Sequence, residues 1–213
     1  MDGGRCETCK GEGQIKVEMQ FMADVYLTCE ECKGKRFKEE ILEVKYRDKD
    51  ISDILEMTIN EAVDFFKQGK GKTEEKITAL LSNYQKVGLG YLKLGQSSNS
   101  LSGGESQRIK LASYLSNEKA EPSMFIFDEP TTGLHFHDIQ KLLSSLFQLR
   151  NRGHSIIIIE HNQEIVKSAD WLIDLGPEGG NKGGKLVFSG KPEELISLKN
   201  SYTGKFLAEK ISD

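Results

Sequence analysis

No stretch of this 213-residue chain approaches the ~18 consecutive apolar residues that a membrane-crossing helix needs, and no signal-peptide pattern opens it. Both absences point to a cytoplasmic protein without a membrane partner. An excess of either charge is also missing. Lys and Arg total 29 against 33 Asp and Glu, a net charge of −4, which argues against coating nucleic acid by bulk charge. A local cluster, Lys33, Lys35, Arg36 and Lys38, is compatible with phosphate contact or with a solvated surface. No cysteine follows residue 32, so no disulfide framework holds the remainder. With 37% hydrophobic and 29% charged residues, one or two domains around an ordinary buried core are expected.

A phosphate-cradling P-loop is missing too, although "FFKQGKGKTEE" (residues 65–75) ends its Gly-Lys-Thr like one. The motif needs a glycine five positions before Gly71, and Phe66 stands there. It also needs a buried strand in front, so that backbone amides and a helix N-terminus converge on phosphate. A helix precedes instead: Thr58 and Glu61 form a capping box, and Ile59, Ala62, Val63 and Phe66 recur at helical spacing. A second helix follows Thr73, with Ile77, Leu80, Leu81 and Tyr84 on one face. The stretch reads as a helix-to-helix connection.

The four cysteines that are present fall in the pairs "CETC" and "CEEC". Cys6 and Cys9, nineteen residues, then Cys29 and Cys32 give the spacing of a structural zinc site. Four thiolates leave no open coordination position, so the Zn²⁺ is expected to be structural and not catalytic. Disulfides in a reducing cytosol, or a thioredoxin-like redox pair without a βαβ pattern, are the weaker readings. "QIKVEMQF" and "DVYLTC" read as strands between the cysteine pairs, with "EEILEVKY" leaving the module in the same β-rich composition.

The organisation expected is a zinc module over residues 1–47, a mainly helical segment over 48–118 and an α/β lobe over 119–213. In the lobe the apolar runs "MFIFDE", "SIIIIE" and "DWLIDLGP" alternate with helices such as "HDIQKLLSSLFQLRN", a pattern of parallel strands covered on both faces. "GPEGGNKGGK" runs into the strand-like "KLVFSG" and reads as a hairpin or irregular turn; "KPEELISL" and "YTGKFLAEKI" read as two short terminal helices.

"LSGGESQRIKLA" places Gly103 and Gly104 between Ser102 and Glu105, a capping box that opens a helix with bare amides able to receive an anion. Asp128 and Glu129 then follow one buried run and Glu160-His161 another, at the strand ends where α/β sheets bind ligands. In phosphoryl transfer Asp128 can hold Mg²⁺ through its water shell, Glu129 can orient the attacking water, and His161 can bond a terminal phosphate oxygen. His135 and His137 lack a further His or Cys and read as solvent or packing residues.

"LSGGESQR", "FIFDEPTTGLH" and "IIIIEH" resemble the signature, Walker B and switch-histidine motifs of an ABC-type ATPase. Together with "GGRCETCKGEGQIKVEMQFMADVYLTCEECKGKRF", "LGQSSNSLSGGE" and "ADWLIDLGPEGG", the chain resembles the C-terminal part of the UvrA family, the damage-sensing subunits of the bacterial excinuclease. That resemblance implies part of an ABC ATPase head, α/β in class, with a helical signature subdomain and an inserted zinc β module. It implies ATP-driven recognition of damaged double-stranded DNA in nucleotide excision repair and the SOS response, a dimer with a second UvrA protomer, and handover to UvrB. Glu129 and His161 would be catalytic; Asp128, Ser102, Gly103, Gly104 and Glu105 would bind the nucleotide and its Mg²⁺.

In the family the P-loop, the first ATPase half and the UvrB-binding region lie upstream, and Met1 stands before "DGGRC" in mid-domain sequence. The chain is therefore expected to be a fragment that needs the missing P-loop part to use ATP and Mg²⁺, and to be inactive alone. Because a signature helix serves the P-loop of an opposing half, Ser102, Gly103 and Gly104 would be idle until that half docks. Two other readings stand beside this one. "CETCKGEG" is also the repeat unit of DnaJ-type chaperones, which carry four such repeats and no "LSGGE". A transporter ATPase head is disfavoured by the zinc module and the lack of a membrane segment.

Overall fold

Asp50, Thr58 and Ser102 decide where helices begin in the first half of the chain, through side-chain caps that satisfy amides left free at a helix start. The computed structural model describes residues 3–21, 24–117, 121–176, 183–198 and 201–211, and divides the chain into two units, Met1–Ser116 and Asn117–Asp213.

In the first unit, β1 (Gln14–Val17) and β2 (Val25–Thr28) pair antiparallel, Gln14 opposite Thr28 and Val17 opposite Val25. The ladder is shorter than the two expected strands, and all its residues are exposed. "EEILEVKY" does not continue as a strand. It opens as α1 (Glu39–Leu42), whose first turn carries Glu39 and Glu40, the charge that a helix N-terminus favours. Next comes α2 (Ile51–Glu56), capped by a reciprocal box in which Asp53 N–H donates to Asp50 and Asp50 N–H to Asp53, at 2.9 and 3.1 Å.

The expected capping box is present at α3 (Ile59–Lys67): Glu61 N–H donates to Thr58 Oγ1 at 3.2 Å, and Thr58 N–H to Glu61 Oε2 at 2.8 Å. Ile59, Ala62, Val63 and Phe66 are all buried, one face as spaced. Burying the Ile59, Val63 and Phe66 side chains contributes roughly 1.5–3 kcal/mol each. Gly71 then caps α4 (Lys72–Lys86), so the Gly-Lys-Thr stretch joins two helices and follows no strand. On α4 Leu81 is buried but Leu80 is exposed, which narrows the expected face. After a 3₁₀ turn at Ser98–Ser100, α5 (Gly103–Ser116) buries Arg108, Leu111, Ala112 and Leu115.

In the second unit β3 (Met124–Asp128) and β4 (Ser155–Ile159) run parallel, Met124 opposite Ser155 and Asp128 opposite Ile159. The crossover contains α6 (Phe136–Asn151), which buries Ile139, Leu142, Leu143, Leu146 and Leu149. Ile139 and Leu143 pack with Ile158 of β4 and with Ile165 of α7 (Gln163–Lys167), a short helix not anticipated from the sequence. On the other face of the pair Met124, Ile126, Ile157 and Ile159 are exposed.

The third apolar run behaves differently from the first two. β5 (Leu172–Gly176) pairs antiparallel with β6 (Lys185–Gly190). Residues 177–184 are too few for the crossover of roughly a dozen residues that a parallel pair requires. The glycine-rich turn itself lies mostly outside the described residues. α8 (Pro192–Leu195) and α9 (Tyr202–Ile211) close the unit, with Leu195 and Leu207 packed on Val166.

Candidate functional site

The cysteine pairs sit in two glycine-turned knuckles flanking the β1–β2 ladder. All four Sγ atoms lie within 4.8 Å of one another, with Cys6 to Cys29 at 3.9 Å and Cys9 to Cys32 at 3.6 Å. A tetrahedron with Zn–S of about 2.3 Å has edges of about 3.8 Å, so the donor set fits a four-coordinate cation. Gly13, at φ +73°, turns its amide onto Cys9 Sγ at 3.2 Å, a contact that favours sulfur carrying negative charge. Burial pushes the Cys32 thiol up to about 11, so the protein alone does not hold that sulfur as a thiolate. A dication bound between the four sulfurs would supply what is lacking. Of the basic cluster, Lys33 and Lys35 are exposed, while Lys38 pairs with Glu7.

At the start of α5 the capping box takes the expected form. Glu105 N–H donates to Ser102 Oγ at 3.2 Å and Ser102 N–H to Glu105 Oε2 at 2.7 Å. Sequence reasoning missed Tyr91, whose hydroxyl donates to Glu105 Oε1 at 2.5 Å. Both oxygens of Glu105 are therefore occupied within the chain, and what the helix presents outward is backbone. Gly104 is buried, but Gly103 is exposed, and a Cβ placed there would meet nothing within 4 Å.

Asp128 ends β3 and Glu129 follows it directly, and His161 stands two residues beyond the end of β4. The parallel pairing brings these strand ends side by side, and Glu129 N–H donates to Ile159 O at 2.9 Å. Asp128, Glu129 and His161 are all exposed at that edge. Glu129 adopts φ +45°, a left-handed conformation that costs a non-glycine residue on the order of 1–3 kcal/mol and recurs at functional sites. The turn after it is closed by Thr132 N–H on Glu129 O at 3.1 Å. His135 and His137 are exposed, as expected of solvent residues. Among the described residues the cysteine cluster is the group that could hold a metal ion through three or more His, Cys, Asp or Glu ligands.

The residue that sequence reasoning noted only as the neighbour of His161 is Glu160. Its Oε1 accepts from Thr131 N at 2.8 Å and from Thr131 Oγ1; its Oε2 accepts from His161 N at 2.9 Å and Asn162 N at 3.1 Å. Burial by itself would raise this carboxyl, but the hydrogen bonds from Thr131, Asn162 and His161 outweigh it and hold the group below the usual carboxylate range. A run of four isoleucines ending in Glu was visible in the sequence, but its bond to residue 131 was not.

A family model for ABC transporter matches residues 7–132. UvrABC system protein A of Rhizobium meliloti (strain 1021) is 51% identical over 207 residues, 97% of this chain and 21% of that protein. The same-named protein of Pasteurella multocida (strain Pm70) is 52% identical over 205 residues, 96% of this chain and 21% of its own length. The crystal structure of UvrA2 from Deinococcus radiodurans has a TM-score of 0.84 with 43% identity, over 98% of this chain and 25% of that chain. The chain thus spans about a fifth of the length of the UvrABC system protein A relatives it matches. It has the α/β fold of an ABC ATPase with a clustered cysteine tetrad, and no helix among the described residues is long and apolar enough to cross a membrane. Matched over more than half of its residues by that model, the chain belongs to the ABC transporter family, and along nearly its whole length it is similar to UvrABC system protein A.

Proposed function

We propose that this chain supplies the C-terminal catalytic part of an ATP-dependent DNA damage-recognition subunit in nucleotide excision repair, acting in the cytoplasm. The observation that carries the reading is the 51% identity to UvrABC system protein A over 97% of the chain. The working division is a zinc module at 1–47, a signature subdomain at 48–118 and an ATPase lobe at 119–213. Cys6, Cys9, Cys29 and Cys32 hold one structural Zn²⁺ and keep the knuckles folded. The exposed Lys33 and Lys35 make a small basic face for DNA phosphate, so binding by the 213-residue chain is weak and salt-sensitive.

In hydrolysis Mg²⁺ would neutralise charge on the phosphates, and Asp128 would hold it through water. Glu129 accepts a hydrogen bond from the attacking water and turns its lone pair toward the γ-phosphate. His161 donates to an oxygen of that phosphate. Ser102, Gly103 and Gly104 offer the α5 N-terminus to the nucleotide of an opposing half, and Glu105 holds that end in shape. No G-x-x-x-x-G-K-S/T occurs in residues 1–213, so the 213-residue chain by itself does not turn over ATP. A second protomer and UvrB are the partners that the similarity suggests, UvrB through regions outside these residues.

The test is Glu129→Gln in the protein as its complete gene encodes it. ATP binding is expected to persist while hydrolysis slows by about 10²- to 10⁴-fold, since the amide keeps the shape and loses the base. An undiminished rate removes Glu129 from catalysis, and wild-type protein that neither binds nor hydrolyses ATP defeats the whole reading.

A further inference from the structure

We infer that Glu160 is a positioning residue for ATP hydrolysis, a carboxylate clip that joins the loop following Asp128 and Glu129 to the loop carrying His161. The inference rests on the function proposed above. Each oxygen of the clip serves one loop: Oε1 takes the backbone N–H and hydroxyl of Thr131, and Oε2 takes the N–H groups of His161 and Asn162. Thr131 is buried and Glu160 is half-buried, so the Thr131 donors depend on this carboxylate, while the His161 amide lies at the exposed end of the clip.

The chemistry demands an ionised carboxylate. Four donors need about four lone-pair sites, which two carboxylate oxygens offer and an amide does not. A Gln at this position has one acceptor oxygen and an NH₂ that would face donors, so it can satisfy one loop and must release the other. An Asp is shorter by one methylene and cannot keep both ends at these distances.

Thr131 lies two residues beyond Glu129, whose left-handed backbone persists only if its surroundings over-determine it. Two of those constraints are the Glu129 N–H bond to Ile159 O at 2.9 Å and the turn closed on Glu129 O at 3.1 Å. The clip supplies a third from the far side of the same turn. On the other loop, its bonds to the amides of residues 161 and 162 set where the His161 side chain emerges. Asn162 in turn caps α7, accepting Glu164 N–H at 2.9 Å, which anchors that loop to the packed lobe. Without Glu160 the strand pairing and the Glu129–Ile159 bond would remain, but the tie from Thr131 to the amides of His161 and Asn162 would be lost, and with it the fixed spacing of the groups proposed to hold Mg²⁺, water and γ-phosphate.

Two measurements on Glu160→Gln test this. In the 213-residue chain, amide hydrogen exchange at Thr131, His161 and Asn162 is expected to rise about tenfold or more, with Ile157 and Ile158 unchanged. Exchange equal to wild type at all three amides overturns the clip. In the protein as its complete gene encodes it, kcat is expected to fall about 10- to 100-fold with the KM for ATP within about threefold, the pattern of misplaced catalytic groups and intact binding. Faster exchange with an unchanged kcat makes Glu160 structural and overturns the positioning role. Thr131→Val, which removes the hydroxyl and keeps the N–H, is expected to give a smaller loss of the same kind. Wild-type protein without ATP turnover would instead sink the functional reading, and is told apart because the exchange contrast in the 213-residue chain would remain.

Discussion

The Tyr91 hydroxyl donates to Glu105 Oε1 at 2.5 Å while Glu105 Oε2 accepts the Ser102 N–H at 2.7 Å, so one carboxylate ties the start of α5 to the segment before it. The Tyr91 hydrogen bond is the largest influence holding the Glu105 carboxyl below its usual range. Tyr91→Phe is expected to lower stability by about 1 kcal/mol, a modest figure because the pair is partly exposed to water. The pH dependence has a definite sign. A lowered folded-state pKa contributes stability above the unfolded value of about 4.3 and loses it as pH falls through the folded value. Urea titrations at pH 7 and pH 3 should find the gap between wild type and variant wider at pH 7 than at pH 3. A gap of equal size at both would mean that the ionised carboxylate is not the acceptor that matters.

One zinc per chain is expected on metal analysis, held by Cys6, Cys9, Cys29 and Cys32. Apparent binding free energies for such sites are about 10–16 kcal/mol, enough to decide whether a two-stranded ladder with exposed faces folds at all. Chelation should therefore melt residues 3–47 while β3, β4 and α6 keep their structure. Cys29→Ser, at the most buried of the four, should abolish stoichiometric metal. Folded protein with well under one zinc contradicts the assignment.

Gly103→Ala separates fold from function at the helix N-terminus. The added methyl meets no neighbour within 4 Å, and alanine is the better helix former by up to about 1 kcal/mol, so the thermal midpoint should hold or rise. ATP turnover by the protein as its complete gene encodes it should nevertheless drop by about tenfold or more, because on the proposed function the methyl would stand where an opposing nucleotide approaches backbone. Unchanged turnover would leave Gly103 without a part in nucleotide binding.

Lys72→Ala and Thr73→Ala should change stability by less than about 0.5 kcal/mol and leave every nucleotide-dependent activity unaltered. Lys72 opens a helix that follows another helix, with no strand to deliver phosphate-facing amides. Nucleotide binding by the 213-residue chain that Lys72→Ala abolishes would overturn this.

What the sequence determined by itself was local. The cysteine spacing, the Thr58 and Ser102 capping boxes, the buried face of α3 and the "GKGKT" connection all rest on interactions a few residues apart, or on ligand spacing that chemistry alone restricts. The apolar runs announced strands, and β3 and β4 are indeed parallel, because a helix long enough for the crossover lies between them. Partner and direction for the third run required the fold: β5 is apolar like the others, yet its short link to β6 makes the pair antiparallel. "EEILEVKY" had strand composition, yet its first four residues became α1, since its acidic start suits a helix N-terminus more than its Val and Tyr favour a ladder. The two polar bonds that matter most at the candidate site join Thr131 to Glu160 and Tyr91 to Glu105, 29 and 14 residues apart. No periodicity encodes such pairs. They exist because backbone packing brings two distant segments together and sets a donor on one beside a carboxylate on the other, a choice made by tertiary structure alone.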